Sequence, residues 1–298
     1  MEALGVEIKN VSATFGIAKD QLLETGFNIA SAGVEFENVA SILRLSAITA
    51  TGAGTDTTTA FNGIIAVLKK YGENLNQAGA IAEKFFIANK LGQTTIEDLA
   101  TALLNLSSSA KPAGVTINEV FAILSTLTGV TGNANQVITQ LNGAINALSA
   151  PTTEASKKFK ELGIEVGQSA IEEKGFVTVA KEVFDAVGGN QEALRKLIPE
   201  VEASKLIIAL ATTQNDKYKE SLDEVTNGAG NLEEAVKKMS ETTDFRLKVA
   251  GQKWENFKVK SGQVLITIAG FLLDFGNVII STFKIFGKVL DQGVNAIL

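Results

Sequence analysis

The side chains that most often carry chemistry are either missing from this chain or spaced against it. The 298 residues include no His and no Cys. That removes Ser-His-Asp and Cys-His triads, thiolate nucleophiles, disulfides and ordinary zinc sites, whose ligands are Cys and His. Carboxylates, Ser, Thr, Lys and Tyr remain. The acidic pairs Glu97-Asp98, Glu172-Glu173 and Glu233-Glu234 are consecutive residues. On a helix, neighbours point about 100° apart, so such pairs do not converge on one substrate. Gly52-Ala53-Gly54 and Gly228-Ala229-Gly230 lack the third glycine and the preceding strand of a dinucleotide fingerprint, and no Gly-Lys-Ser or Gly-Lys-Thr marks a phosphate loop. Two cationic clusters, Lys157-Lys158-Lys160 and Lys253, Lys258 and Lys260, are interleaved with Glu154, Glu161 and Glu255. With 27 Lys+Arg against 33 Asp+Glu the net charge is -6, which argues against sequence-specific nucleic-acid binding. Trp254, beside Phe257, reads as a core or interfacial aromatic. The sequence therefore points away from an enzyme and assigns no catalytic, cofactor-binding or metal-ligating residue.

The elements that would position any site are helices. Phe61, Ile64, Ile65, Leu68 and Tyr71 keep helical spacing, as do Ile96, Leu99, Leu103 and Leu106, and Ile117, Val120, Phe121, Leu124 and Leu127. Glycines follow these runs, and Thr95 and Thr116 precede first turns rich in acidic or amide residues. The pattern predicts an all-α fold. Helices are expected near 19–30, 36–50, 56–71, 75–90, 95–107, 116–128, 133–149 and 152–162, with shorter ones over 175–187, 190–197 and 200–211. Hydrophobic residues make up 45% and the mean hydropathy is +0.18, enough to bury a sizeable core or to await a partner.

An internal duplication organises the first half. Ala32-Gly33-Val34 and the residues to Leu43 align without gaps to Ala113-Gly114-Val115 and the residues to Leu124, an offset of 114 − 33 = 81. Asn62-Gly63 pairs with Asn142-Gly143 at 142 − 62 = 80, and Asp20 with Glu97 at 97 − 20 = 77. Residues 16–71 and 92–149 thus read as two copies of a three-helix unit built from helical hairpins. Three regions are expected: 1–150 duplicated and helical, 151–230 made of short helices, and 231–298 one long amphipathic, coiled-coil-like helix. In the last, Leu265, Ile268, Leu272, Phe275, Ile279, Phe286 and Val289 follow steps of three and four, a seam suited to a partner helix. Lys260, Asp274 and Lys284 limit its uncharged runs to 261–273 and 275–283, short of the ~18–20 residues a membrane-spanning helix needs. Amphipathic sequence is under way by Val6 and Ile8, with no basic and apolar leader. The chain reads as a segment of something longer.

The order of local sequences resembles the core of the phage tail tape measure protein family. Gly114-Val-Thr-Ile-Asn-Glu-Val120 comes first, then a helix ending Ala150-Pro-Thr152, then Leu162-Gly-Ile164. Gly175-Phe, Ala180-Lys, Leu197-Ile-Pro-Glu-Val-Glu-Ala203 and Trp254 follow in order. The resemblance covers residues from about 30 to 298. It departs in length, since such proteins are usually much longer, with extended coiled regions on both sides.

It implies a structural protein of the virion, in the lumen of the phage tail tube and, during assembly, in the host cytoplasm. Such a protein sets tail length during assembly and leaves the tube during genome ejection. The implied partners are the tail tube protein, tail assembly chaperones, distal tail or baseplate proteins, further copies of itself, and a host membrane at ejection; no cofactor is implied. A fully helical chain of this size extends at most roughly 450 Å, the property a ruler needs. The competing reading is a membrane-active helical protein of the pore-forming toxin kind, supported by the apolar 261–298 segment.

Overall fold

The computed structural model describes residues 2–106 and 108–261. Among these there are sixteen α-helices, a short 3-10 turn at Leu75–Gln77, and no strand. The first eight helices are α1 (Glu2–Phe15), α2 (Lys19–Ser31), α3 (Phe36–Ala53), α4 (Thr57–Tyr71), α5 (Ala78–Gly92), α6 (Ile96–Leu104), α7 (Ile117–Thr131) and α8 (Ala134–Ser149). The expected boundaries agree with α2 to α8 within a few residues, because cap residues end the periodic runs. Asp56, Thr95, Thr116 and Asn133 each accept a first-turn backbone N–H at the start of α4, α6, α7 and α8.

The local geometry of α1–α4 returns in α5–α8. Gly33 and Gly114 both sit at φ +87°, and the N–H groups of Ala32 and Ala113 donate to Asn28 and Ser109 at 3.0 and 2.8 Å. Val39 and Val120, paired by the alignment, are both fully buried. Two details differ from the sequence reading. First, the recurring geometry takes in α1 and α5, which the expected units left out: they are followed by Gly16 and Gln93, both left-handed, at 93 − 16 = 77. The α1 stripe of Ile8, Val11 and Phe15 is too short to mark a helix unaided.

Second, α4 and α8 correspond at 134 − 57 = 77, not at 80. Every buried position of α4 from Thr57 to Tyr71 has a buried counterpart at that offset, from Ala134 to Leu148. The Asn-Gly match is one helical turn out of register, because burial follows the apolar face and not the identical dipeptide. The offset of 81 at the Ala-Gly-Val turn falls back to 77 because α7 has 15 residues where α3 has 18, and the link after it is one residue shorter.

The two sets pack as neighbours, with α4 against α6 and α3 against α5. Phe85 of α5 meets Phe121 of α7 edge to face, centroids 5.0 Å apart at 79°. Helices α9 (Thr153–Glu161), α10 (Gln168–Lys174), α11 (Phe176–Ala186), α12 (Gln191–Leu197) and α13 (Val201–Ala211) follow, and α13 covers α8. The chain then turns back. Helix α14 (Asn215–Asn227) lies on α7 and α5, α15 (Asn231–Ser240) on α5 and α3, and α16 (Thr243–Ser261) on α1. This return strap crosses the array in the order opposite to the chain.

The single helix expected from Asn231 onward is broken in the described residues. Helix α15 ends near Ser240, and the Thr242 hydroxyl accepts the Phe245 N–H at 3.3 Å, capping α16. Its described part also packs on its own chain, where a partner helix had been expected. The seam from Leu265 to Val289 lies outside the described residues.

The paired turns generate a contrast. An alanine at φ > 0 costs roughly 1–2 kcal/mol whatever the space. A Cβ on Gly33 meets nothing within 4 Å, whereas one on Gly114 lies 2.7 Å from Glu172 Cγ and 3.0 Å from the Glu172 backbone nitrogen. In thermal unfolding, Gly33→Ala is expected to lower stability by about 1–2 kcal/mol, and Gly114→Ala by clearly more. Equal losses would mean that α10 does not seat on the second turn.

Candidate functional site

The residues singled out for chemistry fall on helix termini and solvated faces. Glu97 and Asp98 occupy the first turn of α6, where the Thr95 hydroxyl donates to Asp98 at 2.7 Å. Glu172 accepts from Gln168 at 2.8 Å within α10, and Glu234 pairs with Lys238 at 2.7 Å within α15. In the cationic clusters, Lys158 pairs with Glu154 at 3.0 Å on α9, while Lys253 lies on α16 with the partly exposed Trp254. No group of three or more acidic side chains among the described residues is placed to hold a metal ion. Gly52 serves close packing. A Cβ there would lie 2.5 Å from Leu232 Cδ1, so the glycine lets α15 approach α3.

The most buried charge is Glu119, 6% exposed. One carboxylate oxygen accepts from the Thr116 N–H and hydroxyl, both at 3.0 Å, and closes the capping box of α7. The other accepts the Phe176 N–H at 2.6 Å and so caps α11 as well. A desolvated carboxylate is tolerable when hydrogen bonds fill its lone pairs and two positive helix ends face it. Burial, followed by the Glu119 charge, pushes the phenols of Tyr71 and Tyr218 well above the usual tyrosine range. Both stay neutral at physiological pH. This cluster is a junction between helices: both oxygens of its carboxylate accept hydrogen bonds, and its phenols resist ionisation.

A second polar junction holds the strap. Lys84 donates to the carbonyl of Val225 near the end of α14, at 3.1 Å. Its neighbour Glu83 accepts the Leu232 N–H at the start of α15, at 3.0 Å. Adjacent residues of α5 thus place a cation at one helix C-terminus and an anion at the next N-terminus, as the helix dipoles favour. Burial raises the Glu83 carboxyl pKa, opposed by the N–H groups of Leu232, Asn231 and Gly230. Burial also lowers that of the Lys84 amine, opposed by the Glu83 charge. The Gly228-Ala229-Gly230 turn is the link they grip. Elsewhere Lys69 donates to Ala32 at 3.1 Å, Lys70 to Leu104 at 2.7 Å, and Lys111 to Tyr71, each at a carbonyl that ends a helix. Sequence reading passed over Glu83, Lys84 and the tie from Glu119 to α11. The Thr116-x-x-Glu119 capping signal was visible, but the second oxygen reaches a partner 57 residues away.

These features define an all-α scaffold whose charged groups lock helices to one another. The family described as phage-related minor tail protein matches residues 6–201, and the chain belongs to that family. It is similar to the tape measure protein of Pneumococcus phage Dp-1, 26% identical over 230 residues, covering 74% of this chain and 19% of that protein. It is also similar to the probable tape measure protein of Clostridium phage phiCD119, 22% identical over 270 residues, covering 87% of this chain and 29% of that protein. The chain thus corresponds to 19% and 29% of the lengths of these relatives. No solved structure matches it.

The strap junction is testable. Lys84→Met leaves the Val225 carbonyl without its cation and is expected to loosen α14–α16 by about 1 kcal/mol. Limited proteolysis at residues 227–231 should then run roughly fivefold faster, with cleavage in α5–α8 unchanged. Unaltered cleavage would show that Lys84 does not hold the strap.

Proposed function

We propose that this chain is the core of a tape measure protein, which sets tail length during assembly and leaves the tail tube during genome ejection. The observation that carries this reading is the similarity to the two phage relatives, both named as tape measure or probable tape measure proteins. The fold is compatible with it. Stacked helices with no disulfide and only three prolines can open and lie end to end. The division into a duplicated helical region 1–150, a short-helix region 151–230 and a C-terminal amphipathic region 231–298 belongs to the same reading, with the geometry shared by α1–α4 and α5–α8 as support for its first part. In this role the chain meets the tail tube protein in the lumen, tail assembly chaperones in the host cytoplasm, distal tail or baseplate proteins, and other copies of itself. Its contribution is architectural and not catalytic. The membrane-active alternative rested on residues 261–298, which lie almost wholly outside the described residues; among those described, no helix is long and apolar enough to cross a membrane.

The test is genetic. Removing one repeat in frame, residues 16–92, deletes 77 residues and is expected to shorten assembled tails by about 115 Å, at 1.5 Å per helical residue. Duplicating the same stretch should lengthen tails by the same amount, which guards against a deletion that merely fails to fold. Tails of unchanged length in both variants would sink the ruler role.

A further inference from the structure

Three Asn-Gly pairs stand in the sequence: Asn62-Gly63, Asn142-Gly143 and Asn227-Gly228. In such a pair the backbone nitrogen after the asparagine can attack the side-chain amide, because glycine carries no Cβ to hinder the approach. The fold gives the three pairs different settings. Asn62 lies inside α4, and a Cβ on Gly63 would stand 3.0 Å from Phe85 and 3.1 Å from Ala100. Asn142 lies inside α8 and donates to the Asn105 carbonyl at 2.9 Å, with Gly143 against Ala203 of α13. Attack at either place requires a packed helix to open in its middle.

Asn227 is the last residue of α14, and its side chain is exposed. The Gly228 N–H donates to the Glu224 carbonyl at 2.8 Å, the closing bond of that helix. Gly228 rests on Ile87 of α5, while Ala229 and Gly230 beyond it are exposed. Freeing the Gly228 nitrogen therefore takes only the fraying of one helix end, at the link where the strap passes from α14 to α15. The reaction then needs water alone. The Gly228 nitrogen gives up its proton and bonds to the Asn227 side-chain carbonyl carbon. The bond from that carbon to the amide nitrogen breaks, and ammonia leaves with the proton. Water opens the resulting cyclic imide at one carbonyl or the other. The products are aspartate, with the original backbone, or isoaspartate, whose backbone runs through the side chain.

Either product works against the strap. The Asn227 amide now donates to Asp223 Oδ1 at 2.8 Å. A carboxylate in its place faces Asp223 as a like charge one turn away, which destabilises a helix. It also stands at the negative end of the α14 dipole. Val225, whose carbonyl Lys84 holds, belongs to the same turn. An isoaspartate further shifts the Gly228-Ala229-Gly230 link against Glu83, which accepts the Leu232 N–H. We propose that Asn227 is a site of spontaneous deamidation, and that its conversion loosens the link after α14 and releases α15 and α16 from the array.

The other two pairs serve as internal controls. The full chain is held at mildly alkaline pH, and its peptides are followed by mass spectrometry for replacement of amide nitrogen by oxygen. In the folded protein Asn227 should convert at least about tenfold faster than Asn62 and Asn142, since it needs only a local opening. In urea the three should convert at similar rates. Equal rates in the folded chain would overturn the site, and so would an advantage of Asn227 that persists in urea. The consequence is read on variants. Amides of α15 and α16 should exchange hydrogen about threefold faster in Asn227→Asp than in the neutral Asn227→Ser, with α5–α8 unchanged. Equal exchange in the two variants would overturn the release of the strap.

Discussion

Helix α7 must be surrounded, and the rest of the structure follows from that. Its residues Glu119 to Thr128 are all buried, ten consecutive positions covering every face of the helix. A helix apolar all round gains from burial only if neighbours close every side. Helices α5, α8 and α14 do this. The polar side chains inside the stretch are satisfied locally: Ser125, Thr126 and Thr128 donate to the carbonyls of Phe121, Ala122 and Leu124 at 2.5–2.7 Å. The one charge, Glu119, caps two helices at once. Without the strap, one side of α7 would face water. The first leg of the returning chain, α14, is thus part of the core and not an appendage.

Around that core the adhesive is apolar between helices and polar at their ends. Lysines reach from one helix to the terminal carbonyls of another, as at Lys69, Lys70, Lys84 and Lys111. Surface ion pairs add little, since most sit on single helices at i,i+4 or i,i+3 and are well exposed. Beyond α14 the strap has few apolar anchors, chiefly Leu232 and Ala250. Helices α15 and α16 therefore belong to the low-stability end of the molecule, the part expected to open first.

Most of the helical order was legible in the sequence, because periodic runs and cap residues are local signals. Helices α2 to α8 stand where Thr, Asp and Gly punctuation put them. Three kinds of feature were not legible. Helix α14 buries only Tyr218, Ser221 and Val225, a stripe too narrow and too polar to register as a core face. The register of α4 against α8 is set by burial, and an Asn-Gly identity one turn away concealed it. The junctions at Glu83, Lys84 and Glu119 join residues dozens to more than a hundred positions apart, and spacing along the chain says nothing about such pairs. The lack of a catalytic constellation was argued from composition. Glu83, Lys84 and Glu119 join helices, whereas most of the ion pairs sit on single helices.

For a member of a phage tail family, this arrangement separates what must stay folded from what can open. The α5–α8 set with α13 and α14 is the cooperative centre, while α15 and α16 lie over the first set with few buried side chains. Native-state hydrogen exchange reads that hierarchy residue by residue. The account predicts that the amides of Val120 to Thr128 are the slowest in the chain, exchanging only when the whole molecule unfolds, while those of α15 and α16 exchange through a lower-energy opening. Amides of α7 exchanging as readily as those of α15 and α16 would contradict the claim that a fully enclosed α7 organises the fold.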